Sequence, residues 1–389
     1  MQVIKTKKRG LPRWQLIATL ATASLVLGAC AAPADDMDNS QAEAETEETV
    51  VAEEAAAEEP SLEFVGPNGE VPGALGELQL SSDEQAEVAA LGLTAAFIWH
   101  TSGDFVNAVE AGAREEFEAL GIEVVASTQA NFDAATQADN VGSVLALDPD
   151  IVVAIAVDPT SAASSFQQVV DDGRTLVIMT TPPAGYTAGQ EFVSIVTEDL
   201  ALAGRYNAEL LIEAMGTTGE VIYMFHDADF WFTNQRDEGF KNWLNYLAPE
   251  VTIVEEAGYT DESRTQEIAA ALITTNPGVT GIYVPWATAA QGVLAAVRDA
   301  GRDDIKIVTN DLDTTLAANM YAGGNVVGLV GNNAFGIGQG LAIAGAYGIL
   351  GKPAPELVAS DPIKVTADNL SEAWKADYAV DAPASVFGQ

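Results

Sequence analysis

The chain has 389 residues, 48% of them hydrophobic and 19% charged, with a formal net charge of −40 at pH 7. That length allows two domains with sizeable cores beside a leader, and the charge argues against nucleic acid, whose phosphates it repels. One cysteine excludes an intrachain disulfide, and two isolated histidines, His100 and His226, exclude a His- or Cys-rich metal centre while leaving an all-oxygen calcium site open.

Lys5, Lys7, Lys8, Arg9 and Arg13 make a basic start, and Leu16 to Leu27 is a short apolar run ahead of small residues. This is the pattern of a secretory signal over residues 1–29, although an uncleaved anchor is the alternative reading. The ending Leu27-Gly28-Ala29-Cys30 resembles a bacterial lipobox. The resemblance implies cleavage before Cys30, lipid on its thiol, and an address in the cell envelope outside the cytoplasmic membrane. Residues 30–60 are acidic and lack basic and aromatic residues, so they read as a disordered tether. Residues 61–92 open with Gly and Pro and turn helical near Ser82 to Leu91, as an N-terminal extension lying on the core.

From Leu93 strands and helices alternate. Strands are expected at Leu93–Trp99, Ile122–Ser127, Ile151–Val157, Thr175–Thr180 and Phe192–Val196, then at Glu220–Phe225, Val251–Glu256, Gly281–Val284, Ile305–Thr309 and Val326–Val330. Helices are expected between them, from Asp104–Leu120 to Gly336–Leu350. Such alternation means parallel sheets with right-handed crossovers. The strands are too many for one compact open sheet, so an α/β fold of two doubly wound lobes is expected over a (βα)8 barrel. The first lobe is placed at 93–196 plus 333–358, and the second at 197–332 plus 359–389. The crossings are placed at Val196–Glu198, Asn332–Phe335 and Lys352–Val358.

Ligands of open parallel sheets bind beyond the carboxyl ends of the strands. There the sequence places His100 to Phe105, Asp158, Thr180-Thr181, His226 to Arg236 with Trp231 among them, Pro285-Trp286, Asn310-Asp311 and Asn332. Rings, amides and carboxylates with few cations suit an uncharged polyhydroxylated ligand. Asp227-Ala228-Asp229 lacks further oxygen ligands at calcium-loop spacing. Gly336-Ile337-Gly338-Gln339-Gly340 opens a late helix, not the first, so no dinucleotide is expected. Neither a metal nor a cofactor is called for. The absence of a Gly-x-Ser-x-Gly elbow counts against a secreted hydrolase, although the carboxylates Asp227, Asp229 and Asp311 leave glycoside cleavage by a carboxylate pair as the alternative. The absence of a basic helix-turn-helix before Leu93 counts against a repressor core.

Ala113-Arg114-Glu115-Glu116 with Leu120-Gly121, Asp158-Pro159-Thr160, Asn234 to Phe240, Thr309-Asn310-Asp311 and Gly338 occur in a familiar order. By them the chain from Leu93 to Lys352 resembles the ribose-binding-like periplasmic sugar-binding proteins of ABC importers. The resemblance implies two lobes with a three-crossing hinge, capture of a monosaccharide or polyol, delivery to permease subunits, a monomer, and no enzymatic turnover. A sensor role for a membrane receptor is its variant. Carried over by position, Phe105 stacks on the sugar, Asn234 and Arg236 supply polar contacts from the second lobe, and Asp311 grips hydroxyls. Asn332 is a hinge-side amide, and Trp286 replaces a polar residue. His100 and Trp231 are further candidates from their loops. Thr180-Thr181-Pro182 stands where ribose binders carry an Asp-Arg pair, and Val106 where they carry a second aromatic, which argues against ribose itself.

Overall fold

The structure, a computed structural model, describes residues 59–60 and 64–388. The leader, Cys30 and all but the last two residues of the acidic tether lie outside the described residues.

The apolar runs become two sheets. In chain order the first part holds β1 (Pro72–Ala74), α1 (Ser82–Ala89), β2 (Thr94–Trp99), α2 (Asp104–Ala119), β3 (Glu123–Gln129), α3 (Ala134–Leu145), β4 (Ile151–Ala154), α4 (Pro159–Asp171), β5 (Thr175–Met179) and β6 (Ile195–Glu198). Then come α5 (Leu200–Met215), β7 (Thr218–His226), α6 (Trp231–Leu247), β8 (Glu250–Tyr259), α7 (Thr265–Thr275), β9 (Val279–Tyr283), α8 (Ala287–Asp299), β10 (Lys306–Asn310), α9 (Thr314–Tyr321) and β11 (Val326–Gly331). The chain ends with α10 (Ala334–Leu350), β12 (Leu357–Ser360), β13 (Ile363–Val365) and α11 (Leu370–Tyr378).

One sheet has the order β1-β12-β6-β5-β4-β2-β3 and the other β13-β11-β10-β9-β7-β8. Every pairing is parallel except β11 with β13. Two open sheets rule out the barrel. Ala95 to Ile98, Ile151 to Ala154 and Val177 to Met179 are fully buried, as strands covered by helices on both faces must be. Aspartates start the helices: Asp133, Asp158 and Asp199 each accept a backbone N–H in the first turn of α3, α4 and α5, with Pro159 at the first position of α4.

The chain passes between the sheets three times: after β6, after β11, and between β12 and β13. The first two passes fall where the sequence placed them. The third does not: Lys352–Val358 lies wholly on the first lobe, because β12 inserts between β1 and β6. The crossover follows Ser360. The N-terminal extension does more than rest on the core, since β1 supplies the edge strand beside β12.

The helix α10, grown from the second sheet, returns to pack on α2 of the first lobe. Glycines let the two backbones touch: a Cβ on Gly338 would lie 1.9 Å from Val109 O, and one on Gly112 2.0 Å from Phe335 O. The second crossing is held by Asp377 of α11, whose Oδ1 accepts from Asn332 N at 3.2 Å and Ala334 N at 2.7 Å. Burial pushes this carboxyl up to about 7.

Candidate functional site

The loops beyond the carboxyl ends of β2 and β3 face those beyond β7 to β10. Between them lies a cavity of about 260 Å³ lined from both lobes. The first lobe contributes His100 to Val106 and Phe132. The second contributes His226, Phe230, Phe232, Thr233, Arg236, Glu262, Trp286, Gln291, Asp311 and Asp313, among others.

The lobes meet across it through rings. Phe132, from the loop after β3, stands 6.1 Å from His226, 6.2 Å from Phe230 and 6.2 Å from Trp286 between ring centroids. Its φ of +58° follows Asn131 at +50°, so two successive left-handed residues carry the ring across the cleft. His100 meets Phe132 edge-on at 5.0 Å, and Trp286 meets His226 edge-on at 5.1 Å. Trp286 is fixed by donating from Nε1 to Glu262 Oε2 at 2.6 Å.

The polar floor is built on Arg236. Its guanidinium is 1% exposed, donates to Glu198 Oε1 at 3.1 Å and Pro285 O at 3.0 Å, and lies 4.2 Å over the Phe232 ring. Asp311 Oδ1 is 3.9 Å from the same guanidinium and accepts from Asn332 Nδ2 at 2.7 Å. Asp311 adopts φ +70°, which turns its side chain off the end of β10, a strand pinned by Asn310 donating to Pro285 O at 2.8 Å. Burial pushes the Asp311 carboxyl up, with Arg236 acting against it. Burial also raises Glu198 to about 8, against the neighbouring guanidinium.

Both histidines are held neutral. Burial lowers His100 to about 3, helped by His226, and lowers His226 to about 4. Thr233 Oγ1 lies 3.2 Å from Phe230 O and 3.0 Å from His226 Nδ1 and ties the ring to the start of α6. Below the ring, His226 N donates to Asp237 Oδ2 at 3.1 Å, and Asp237 Oδ1 accepts from Tyr283 at 2.7 Å.

Of the residues singled out in the sequence, His100, Phe105, Arg236, Trp286 and Asp311 line the cavity. Asn332 is fully buried behind Asp311 and reaches the cavity only through it. Asn234 donates to Ala228 O at 3.1 Å and faces a separate depression beside Tyr223 and Asp237. Trp231 is half-buried against Phe64, 5.7 Å away, because the first turn of α6 aims it at the N-terminal extension. Phe132 and Glu262 were missed; they follow β3 and β8, the two edge strands on this side. Asp313 caps α9, accepting from Thr315 N and Leu316 N, and also faces the cavity.

Among the described residues no helix is long and apolar enough to cross a membrane, and no three His, Cys, Asp or Glu come together as a metal site. No curated protein sequence matches the chain. Several solved structures share the fold. An ABC transporter solute-binding protein from Agrobacterium vitis with bound alpha-D-tagatopyranose is 21% identical, with TM-score 0.67, over 75% of this chain and 100% of that one. One from Mycobacterium smegmatis with bound glycerol is 23% identical, with TM-score 0.64, over 72% and 96%. One from Bacillus halodurans with bound myo-inositol is 18% identical, with TM-score 0.62, over 74% and 98%. A family model described as a periplasmic binding protein domain matches residues 95–352, more than half of the sequence, and the chain belongs to that family.

Proposed function

We propose that the protein is an extracytoplasmic solute-binding lipoprotein. It captures a small sugar or sugar alcohol between its lobes and delivers it to the permease of an ABC transporter. The observation that carries this reading is the cavity at the strand ends of both sheets, walled by Phe105, Phe132, Phe230 and Trp286 and floored by Arg236 and Asp311. Rings cover the C–H faces of a sugar, and carboxylates accept its hydroxyl protons. Solute-binding proteins of the same fold holding tagatopyranose, glycerol and myo-inositol support it.

Capture needs no turnover. A ligand touching both lobes shifts the population toward the closed arrangement about the crossings at Glu198, Asn332 and Ser360, and the closed form is what a permease reads. We read the binding unit as a monomer, and the basic leader with Cys30 as its lipid-anchoring signal. A carbohydrate panel of pentoses, hexoses and alditols tests the main claim by melting temperature and solution scattering. A bound sugar raises the first and shrinks the radius of gyration. If no member of the panel does either, the reading falls.

A further inference from the structure

We infer that the ligand of this cleft carries a positive charge, as an amino sugar or another small polyhydroxylated amine does. This deepens the proposed function and rests on it.

The lining carries carboxylates from both lobes: Asp104 from the first, and Glu262, Asp311 and Asp313 from the second. Among the described residues one lining cation, Arg236, faces them, and it is already engaged by Glu198 at 3.1 Å and stands 3.9 Å from Asp311. The two histidines add no charge near neutrality. Closing the lobes therefore brings like charges together. Asp104 lies near enough to be one of the causes that push the Asp313 carboxyl up. Like charges confined away from water repel, and a neutral sugar leaves that repulsion in place. An ammonium reverses its sign.

The form of the site fits an organic cation better than a metal ion. No three carboxylates or histidines among the described residues approach closely enough to share one ion. The charge is spread along the walls, as it would be around a body of several carbons. The faces of Phe132, Phe230 and Trp286 suit an ammonium and its adjoining C–H groups, whereas the Phe232 face is already taken by Arg236. Two further polar groups stand in the lining, His100 and Glu262. His100 is 8% exposed, and its Nδ1 has no partner among the described residues. Glu262 gives Oε2 to Trp286, which fixes its carboxylate at the wall.

Matched pairs test the charge alone. The purified protein is titrated calorimetrically at neutral pH with D-glucosamine and D-glucose, D-galactosamine and D-galactose, and 1-amino-1-deoxysorbitol and sorbitol. At least one amine is expected to bind about tenfold or more tightly than its neutral partner, a difference of about 1.4 kcal/mol. N-acetylation of that amine, which keeps the nitrogen and removes the charge, is expected to abolish the preference. Glu262→Gln is expected to narrow it to about threefold or less with the melting temperature of the free protein kept. If a neutral member binds and every amine binds no better than its partner, the inference is overturned and the carbohydrate reading stands. If no member of any pair binds, the inference is lost, and the carbohydrate reading is decided by the wider panel.

Discussion

Arg236 on α6 donates to Glu198 at the end of β6 across 3.1 Å, so a guanidinium of the second lobe is fastened to the first crossing between the lobes. Both side chains are buried, and burial raises Glu198 to about 8. Removing Arg236 leaves the buried Glu198 carboxyl and the Pro285 carbonyl without their donor and without water. Arg236→Ala is expected to cost about 3–5 kcal/mol of stability. Glu198→Gln keeps an acceptor for the guanidinium and is expected to cost less than about half as much. Urea unfolding measures both, and equal losses would contradict the assigned geometry.

Asp311 meets the cavity with its other side held by Asn332. Asp311→Ala is expected to weaken ligand binding by about 1.5–3 kcal/mol, roughly tenfold to a hundredfold, because a charge-assisted hydrogen bond is lost. Unfolding should remain cooperative. Titration calorimetry with whichever sugar or amine binds the parent protein gives the number. Unchanged affinity would remove Asp311 from the binding role.

The histidines carry a signed dependence on pH. In the unfolded chain each titrates near 6.5, and in the fold burial holds them at about 3 and about 4. Their contribution is thus complete above about pH 6.5 and is lost as pH falls toward 4 and below. Asp377, raised to about 7, runs the opposite way: its contribution is complete below about pH 4 and is lost as pH rises through 7. The stability gap between the parent and a His100→Gln, His226→Gln variant should change between about pH 4 and 6.5 and level off above it, favouring the parent as pH rises. For Asp377→Asn the gap should move in the opposite sense. Denaturant midpoints across that window decide it, and flat differences would sink the assignment.

Gly112 and Gly338 admit no side chain where α2 meets α10. Gly338→Ala places a methyl against Val109 O and should lower stability by about 1–3 kcal/mol or more, since backbone cannot swing aside as a side chain can. The guanidinium midpoint should fall with the slope unchanged. A midpoint equal to that of the parent would mean the helices part freely.

The alternation of strands and helices was legible because the central strands are buried on both faces and several helices carry their own start signal, as with Asp158-Pro159. The short late strands were not. Leu357–Ser360 follows two prolines within a few residues and becomes a strand by pairing with β6, and Pro72–Ala74 reads as a turn and becomes one only by pairing with β12. In the site, the strand-end rule found His100, Phe105, Arg236, Trp286 and Asp311 because each follows a recognisable apolar run. It did not reach Phe132. That ring depends on a left-handed pair of residues after an edge strand, a backbone choice that no pattern of side chains announces. Trp231 misled because helix rotation, not position in the loop, decides which way a first-turn side chain points.

The insertion of β12 beside β6 bears on biogenesis. A polypeptide emerging vectorially from the ribosome completes β2 to β6 and β7 to β11 as two uninterrupted stretches, and each sheet then waits for one late strand, β12 beside β6 and β13 beside β11. Ile195 and Val196 keep a bare flank until Leu357 and Val358 emerge much later, and β1, already made, has no neighbour until the same strand arrives. A chain cut short before residue 357 would leave β6 and β1 each without a partner on that flank, two unpaired edges in the first lobe, whereas the second would lack only its antiparallel edge strand.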